Sequence, residues 1–183
     1  MARQVPTQVQ HSTGDLVTGR VWNNGPKALN DFLSNRPSFL GSRGAVFFGI
    51  ANNAWTAVPW LAGLLDTDLG YNSSVNSSRY TCQVAGWYWV KGAVAWDGSG
   101  VSGASGAGRI DTAIAKNGGI IVGSSQFLTR GNLVNSGQQA SALVQLAVGD
   151  YVELWVRQET GATQYLYSAF DTLNGLQVLW IHS

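Results

Sequence analysis

Charge is what this sequence most conspicuously lacks. Only 11% of its 183 residues are Asp, Glu, Lys or Arg, against roughly 25% in a typical soluble domain. Eleven basic and ten acidic residues leave a formal charge of +1, so no field exists to hold a nucleic acid backbone or an anionic membrane surface. Cysteine is almost absent as well. The single Cys82 has no partner for an internal disulfide, and its place between Tyr80 and Val84 on an apolar stretch predicts a buried, inert thiol. Histidine is confined to His11 and His182, each near an end of the sequence, so no general base is well placed for catalysis. One Cys and two His also exclude a soft metal site. No stretch approaches the roughly 20 apolar residues of a membrane span. The opening Met-Ala-Arg-Gln-Val-Pro-Thr-Gln has no apolar signal core, which predicts synthesis in the cytoplasm without an encoded secretion signal.

What the chain has instead is apolar and small. Hydrophobic residues make up 45%, there are 23 Gly, and the polar remainder is rich in Ser, Thr, Asn and Gln, the composition of a turn-rich β protein. The length suits one domain with a short appendage. Its organising stretch runs from Tyr80 to Trp96, where β-branched and aromatic residues alternate with period two. Read as a strand, it puts Tyr88, Val90, Val94 and Trp96 on one face and Trp87, Trp89 and Lys91 on the other. Aromatic residues on both sides require cover on both sides.

Ahead of that stretch, residues 1 to 15 are polar and unpatterned. From Pro26, with Asn24 available as a cap, Leu29, Phe32 and Leu33 recur at helical spacing and predict a short helix ending before Arg36-Pro37. A helix of two or three turns must dock its apolar stripe, extended by Val21 and Trp22, on its own domain or on a larger assembly. The expected division is a segment 1–43 followed by a β domain 44–183. Ala45 to Ile50 reads as a strand, Trp55 to Leu65 as an edge strand or irregular crossing interrupted by Pro59, and Asn72 to Ser78 as a polar turn. After the central stretch, Arg109 to Ala115, Ile120 to Leu128, Ser141 to Val148, Tyr151 to Gln158 and Gly175 to His182 read as strands. Lys116-Asn117-Gly118-Gly119 marks a hairpin, and Gly149-Asp150 a tight turn. Eight to ten strands without a repeat of 20 to 50 residues imply a β-sandwich or barrel.

Motifs of chemistry fail on inspection. The G-x-G-x-x-G at Gly98, Gly100 and Gly103 lies between strands, where no helix start can complete a phosphate cradle. The near matches to G-x-S-x-G end in Ala104 and Ala107. The carboxylates are too sparse to argue a glycosidase pair. No cofactor is expected; Asp66, Asp68 or Asp97 could supply oxygens to a structural calcium, but each reads more simply as a turn residue. Asn72-Ser73-Ser74 and Asn76-Ser77-Ser78 match the glycosylation pattern and, without a signal peptide, read as turn.

Several segments in order are similar to a known family. Trp60-Leu61-Ala62-Gly63-Leu64-Leu65-Asp66, Tyr71-Asn72 and Tyr80-Thr81-Cys82-Gln83-Val84-Ala85-Gly86-Trp87-Tyr88 resemble the first half of the complement C1q globular head, one of the tumour necrosis factor-like jelly rolls. Lys116-Asn117-Gly118, then Ala142 to Val156, and more loosely Phe170 to Leu176, resemble its later parts. The resemblance implies an all-β jelly-roll sandwich, packed as a trimer about a three-fold axis, that binds and does not catalyse. It makes Trp87 and Trp89 candidates for the subunit interface, with Tyr151 and Trp155, unless these pack under the Trp55 to Leu65 crossing within one subunit. No collagen repeat precedes the domain. Instead Gly14-Asp15-Leu16-Val17-Thr18, Leu29-Asn30-Asp31-Phe32-Leu33 and Arg36-Pro37 resemble the start of minor tail proteins of actinobacteriophages, which makes Trp22, Leu29, Phe32 and Leu33 candidates for docking on a virion. The expectation is therefore a non-enzymatic virion protein of a tailed phage. Its head would recognise a host-surface glycan or protein, with no nucleic acid or membrane as partner. A capsid decoration protein and a free bacterial lectin-like protein are the alternatives.

Overall fold

In the computed structural model, residues 5–7, 12, 16, 18–44, 46–98, 107–131, 135–166 and 174–183 are described. The chain opens with a helical stretch that begins as α1 (Gly19–Trp22), widens into a π-type turn over Asn23–Lys27 and continues as α2 (Ala28–Ser34). It starts earlier than its sequence suggests, because Thr18 caps it by accepting the Val21 N–H at 3.3 Å. Pro26 lies inside the π-type turn, where its missing N–H removes one hydrogen bond and a wider turn relieves the crowding. As expected, the helix is over before Arg36-Pro37.

Among the described residues thirteen strands follow: β1 (Ser38–Ser42), β2 (Phe48–Ile50), β3 (Thr56–Ala57), β4 (Ala62–Asp66), β5 (Arg79–Thr81), β6 (Gly86–Trp96), β7 (Gly108–Lys116), β8 (Gly119–Ile120), β9 (Gln126–Arg130), β10 (Ser136–Leu146), β11 (Tyr151–Glu159), β12 (Gln164–Leu166) and β13 (Gly175–His182). They form two antiparallel sheets. In the seven-stranded sheet β6 is central, with β10 along one edge, and β13 then β1 and β4 along the other; β12 and β2 continue it at the far end of β6. In the six-stranded sheet β11 and β7 lie side by side, flanked by β3 and β5 on one edge and by β8 and β9 on the other. This is the jelly-roll sandwich that the resemblance implies.

Period-two alternation fills the space between the sheets. Tyr88, Val90, Val94 and Trp96 of β6, as expected, face Ile110, Ile114, Val152, Leu154 and Val156 from the opposite sheet, all essentially without solvent. Gly92 of β6 leaves room for Leu154 of the opposite sheet, since an added Cβ there would lie 2.4 Å from Leu154 Cδ1. One polar residue ties them together: Gln138 of β10 accepts from Trp96 Nε1 at 2.9 Å and Thr112 Oγ1 at 3.0 Å, and donates to the Ile110 carbonyl at 3.1 Å. A buried amide that satisfies both its ends in this way fixes the relative register of two sheets.

Three differences from the sequence reading have local causes. Tyr80 to Trp96 is two strands in different sheets, because the chain folds over at Cys82–Ala85, where the Val84 carbonyl accepts from both Tyr88 Oη (2.5 Å) and Cys82 Sγ (3.0 Å). Cys82 is buried, as expected, and burial pushes its thiol and the Tyr88 phenol above their ordinary values. The β domain begins at Ser38, ahead of the boundary at residue 44, since β1 pairs with both β13 and β4. Ile120 to Leu128 is divided between β8 and β9. The predicted hairpin is present: Asn117 and Gly118 have φ of 50° and 80°, the pair of positive values that a two-residue turn between β7 and β8 needs.

Candidate functional site

The sandwich has two outward faces, and they are built from different materials. On the seven-stranded sheet, pairing sets the rows. Trp89 stands between Leu143 and Leu179, Trp87 between Gln145 and His182, Lys91 between Ser141 and Gln177, and Ala93 between Gln139 and Gly175. In these rows every side chain is apolar, amide or hydroxyl except Lys91 and His182. Trp89 is 44% exposed and Leu143 54%. Toward the β1–β4 edge the surface sinks into a groove of about 660 Å³ lined by Leu40, Leu61, Leu64, Lys91, Gln139 and Gln177, among others. Leu64, at 66% exposed, forms part of its rim. Contiguous apolar surface of this kind on an outward sheet face marks a place where something else packs.

On the six-stranded sheet the outward side chains of β11 are Tyr151, Glu153, Trp155 and Arg157, and buried carboxylates organise them. Glu153 Oε1 accepts from Ser78 Oγ at 2.7 Å and Arg79 Nε at 3.0 Å, while its Oε2 accepts from Trp155 Nε1 at 2.9 Å. Asp111 accepts from Arg109 Nε at 2.7 Å and from Arg157 Nε and Nη2 at 3.0 and 2.9 Å. Arg157 also pairs with Glu159 at 3.1 Å. The guanidinium of Arg79 lies 3.9 Å from the centre of the Tyr151 ring, that of Arg109 4.9 Å from Phe127, and that of Arg157 5.2 Å from Trp55. Each arginine therefore has both a carboxylate and an aromatic neighbour, an arrangement that holds the rings in place.

The four aromatic residues singled out as a subunit interface consequently do not form one surface. Trp87 and Trp89 project from β6 on the seven-stranded sheet, and Tyr151 and Trp155 from β11 on the six-stranded one. The outward sides of the two sheets point in opposite directions, so the placement of β6 and β11 in different sheets separates the pairs.

The docking candidates divide as well. Phe32 is only 3% exposed and meets the edge of Trp180 with centroids 5.0 Å apart, so this part of the helix packs on its own domain. Leu29 is half-buried. Trp22 and Leu33 stay outside at 54% and 50% exposed.

Each acidic calcium candidate has an occupation within the fold. Asp66 accepts the Gly70 and Tyr71 N–H groups, each at 3.0 Å. Asp68 accepts from Tyr80 Oη at 2.8 Å, and burial pushes that phenol far above its ordinary value. Asp97 is buried at the end of β6. Among the described residues no three His, Cys, Asp or Glu converge as a metal site. Asn72 Oδ1 accepts the Ser74 and Val75 N–H groups, making the polar turn. His182 is exposed beside Trp87. His11, the middle of the glycine-rich loop (99–106) and most of Phe170 to Leu176 lie outside the described residues.

The arginine–carboxylate lattice was not anticipated from the sequence. Its signal is there in Arg109-Ile-Asp111 and in Tyr151-Val-Glu153-Leu-Trp155-Val-Arg157, polar or aromatic at every second position. Only the β7–β11 register brings the two together.

No protein-family model matches the sequence, and no curated protein is similar to it. The fold, however, is similar to solved structures. The globular domain of zebrafish complement 1qA protein matches 80% of this chain and 98% of its own, with a TM-score of 0.51 at 16% identity. Murine APRIL, solved at pH 5.0, matches 80% of this chain and 100% of its own, with a TM-score of 0.57 at 11% identity. The Eiger TNF of S. frugiperda matches 81% and 95%, with a TM-score of 0.54 at 12% identity. The architecture is thus that of C1q and TNF-family jelly rolls.

Proposed function

We propose that this chain is a virion protein of a tailed phage whose jelly roll assembles as a trimer and presents a recognition head to the host surface. The observation that carries the assembly is the apolar row Leu143–Trp89–Leu179 beside the groove at Leu40, Leu61 and Leu64. Leucine and tryptophan side chains left this open are stabilised by roughly 25 cal/mol for each Å² removed from water, and none of the described residues covers them. Two neighbouring copies would, with the sheet turned toward a three-fold axis. Such a closed ring is also what keeps a self-adhesive face from growing into a filament.

The particle side of the reading rests on the helix. With Phe32 anchored on Trp180, the exposed Trp22 and Leu33 remain as the residues available to a second protein. The host-facing side rests on the low charge and the aromatic, Ser-, Gly- and Asn-rich surface, which suits a glycan or protein ligand. Two measurements test the proposal. Light scattering of the purified chain should give the mass of three copies, and a clean monomer at micromolar concentration would overturn the trimer. Phage carrying Trp22→Glu with Leu33→Glu should release particles depleted of this protein, as read by antibody labelling in electron micrographs. Unchanged labelling would sink the docking role.

A further inference from the structure

We infer that the outward face of the six-stranded sheet is a saccharide-binding platform for an uncharged glycan, with Trp155 as its principal stacking plane. This deepens the recognition reading above and rests on it, since the trimer turns the other sheet inward and leaves this one at the perimeter.

Four aromatic rings occupy this side of the molecule: Tyr151 and Trp155 on β11, Trp55 beside β3 and Phe127 on β9. Trp155 has Ala57 and Ala113 as its neighbours on the adjoining strands, so no bulky side chain crowds the indole from either rung. Its Nε1 is held by Glu153, and Glu153 in turn by Ser78 and Arg79. A ring fixed in this way loses little freedom when a ligand stacks on it.

The charges select the ligand. Arg79, Arg109 and Arg157 are matched by Glu153, Asp111 and Glu159, three against three, and every one of them is in an ion pair. The three carboxylates offset the three guanidiniums, so a charged ligand gains little from the net field of the face. The pairs of Arg79 and Arg109 are made through Nε, which leaves their terminal N–H groups for further acceptors. The surface thus alternates apolar planes with hydrogen-bond donors and carries no net charge. A neutral sugar has the complementary form, C–H faces that stack on rings and hydroxyls at the rim.

Native gel electrophoresis of the full chain, in gels cast with a soluble glucan, mannan or galactan and separately with hyaluronate, tests this. At least one neutral polysaccharide should retard the protein while hyaluronate does not. Trp155→Ala and, independently, Tyr151→Ala should lose the retardation, and Trp155→Phe should keep part of it, all at unchanged mass in light scattering. Absence of retardation by every neutral polysaccharide, retardation by hyaluronate alone, or equal retardation of Trp155→Ala overturns the inference. A monomeric mass with retardation intact overturns the trimer and leaves the platform standing.

Discussion

The two tryptophans at the centres of the two sheets, Trp89 and Trp155, sit in opposite circumstances. Trp89 has leucine on both adjoining strands, no partner for its indole N–H in the described hydrogen bonds, and 44% of its surface in solvent. Trp155 has alanine on both, a carboxylate on its N–H, and one ion-paired arginine, Arg157, on its strand. The same residue type in the same strand geometry is unfinished in one place and complete in the other. Burying Trp89 against another chain removes apolar area at the polar cost of a single indole N–H. Burying Trp155 the same way would desolvate Glu153, Arg79 and Arg157, which costs several kcal/mol per ion unless the partner satisfies them. The first face therefore suits permanent contact with a copy of itself, the second reversible contact with a small, wet ligand.

Substitutions can break or sharpen that contrast. The largest effect is expected from Trp89→Glu, which should reduce the mass by light scattering from three chains to one while leaving the far-ultraviolet circular dichroism unchanged; a surviving trimer would erase the distinction between the faces. Glu153→Ala comes next. It leaves Ser78, Arg79 and the Trp155 N–H without their acceptor, and because Arg79 is partly exposed the loss should be about 2 kcal/mol, read by urea unfolding. Leu143→Ala on the other face should cost an isolated chain less than about 0.5 kcal/mol and yet weaken assembly. Of comparable size in stability, but without effect on assembly, is Tyr151→Leu, which removes the ring beneath Arg79 and should cost about 0.5 kcal/mol.

Acid separates the faces in another way. Asp150, in the turn that carries the chain from β10 on one sheet to β11 on the other, is lowered to about 2 by hydrogen bonds from Lys116, Asn117 and the Ala147 N–H. A carboxyl held below its unfolded range contributes stability fully above about pH 4, and that contribution is lost as the pH falls through the folded value. Urea midpoints measured between pH 5 and pH 2 should fall, and Asp150→Asn should flatten the decline. An equal decline in the variant would show that Asp150 is not responsible.

Alternation and turn chemistry made much of this fold legible. β13 runs over Gly175 to His182 as the pattern predicts, the Asn117-Gly118 hairpin is where two positive φ values were required, and the inward set of β6 was read correctly. What escaped was anything decided by pairing over long separations. β1 looks unpatterned because Gly41 and Ser42 carry no apolar signal, yet β13 and β4 hold it on both sides. Cys82 to Ala85 looks like continuous strand because nothing in those residues announces that Val84 will take two donors. For the candidate faces, the sequence could say that Trp87, Trp89, Tyr151 and Trp155 point away from a core. It could not say that they point away from each other, which depends on the assignment of β6 and β11 to different sheets. Phe32 belongs to the same class, since its burial against Trp180 joins residues at the two ends of the sequence.

The helix gives the molecule a foot and a crown. It rests where β6 begins, with Phe32 on Trp180 and the Trp180 indole donating to the Ala85 carbonyl. Where β6 ends, the Asp97 N–H donates to the Tyr165 carbonyl, the Gly98 N–H to Asn135 Oδ1, and Arg130 reaches the Asp97 carbonyl, so the adjoining ends of β6, β9, β10 and β12 gather at one pole. An 11-residue strand separates these poles by about 35 Å at the usual rise. A peptide grafted into the crown would therefore stand clear of whatever grips the foot, which makes the sandwich a ready-made pedestal for display.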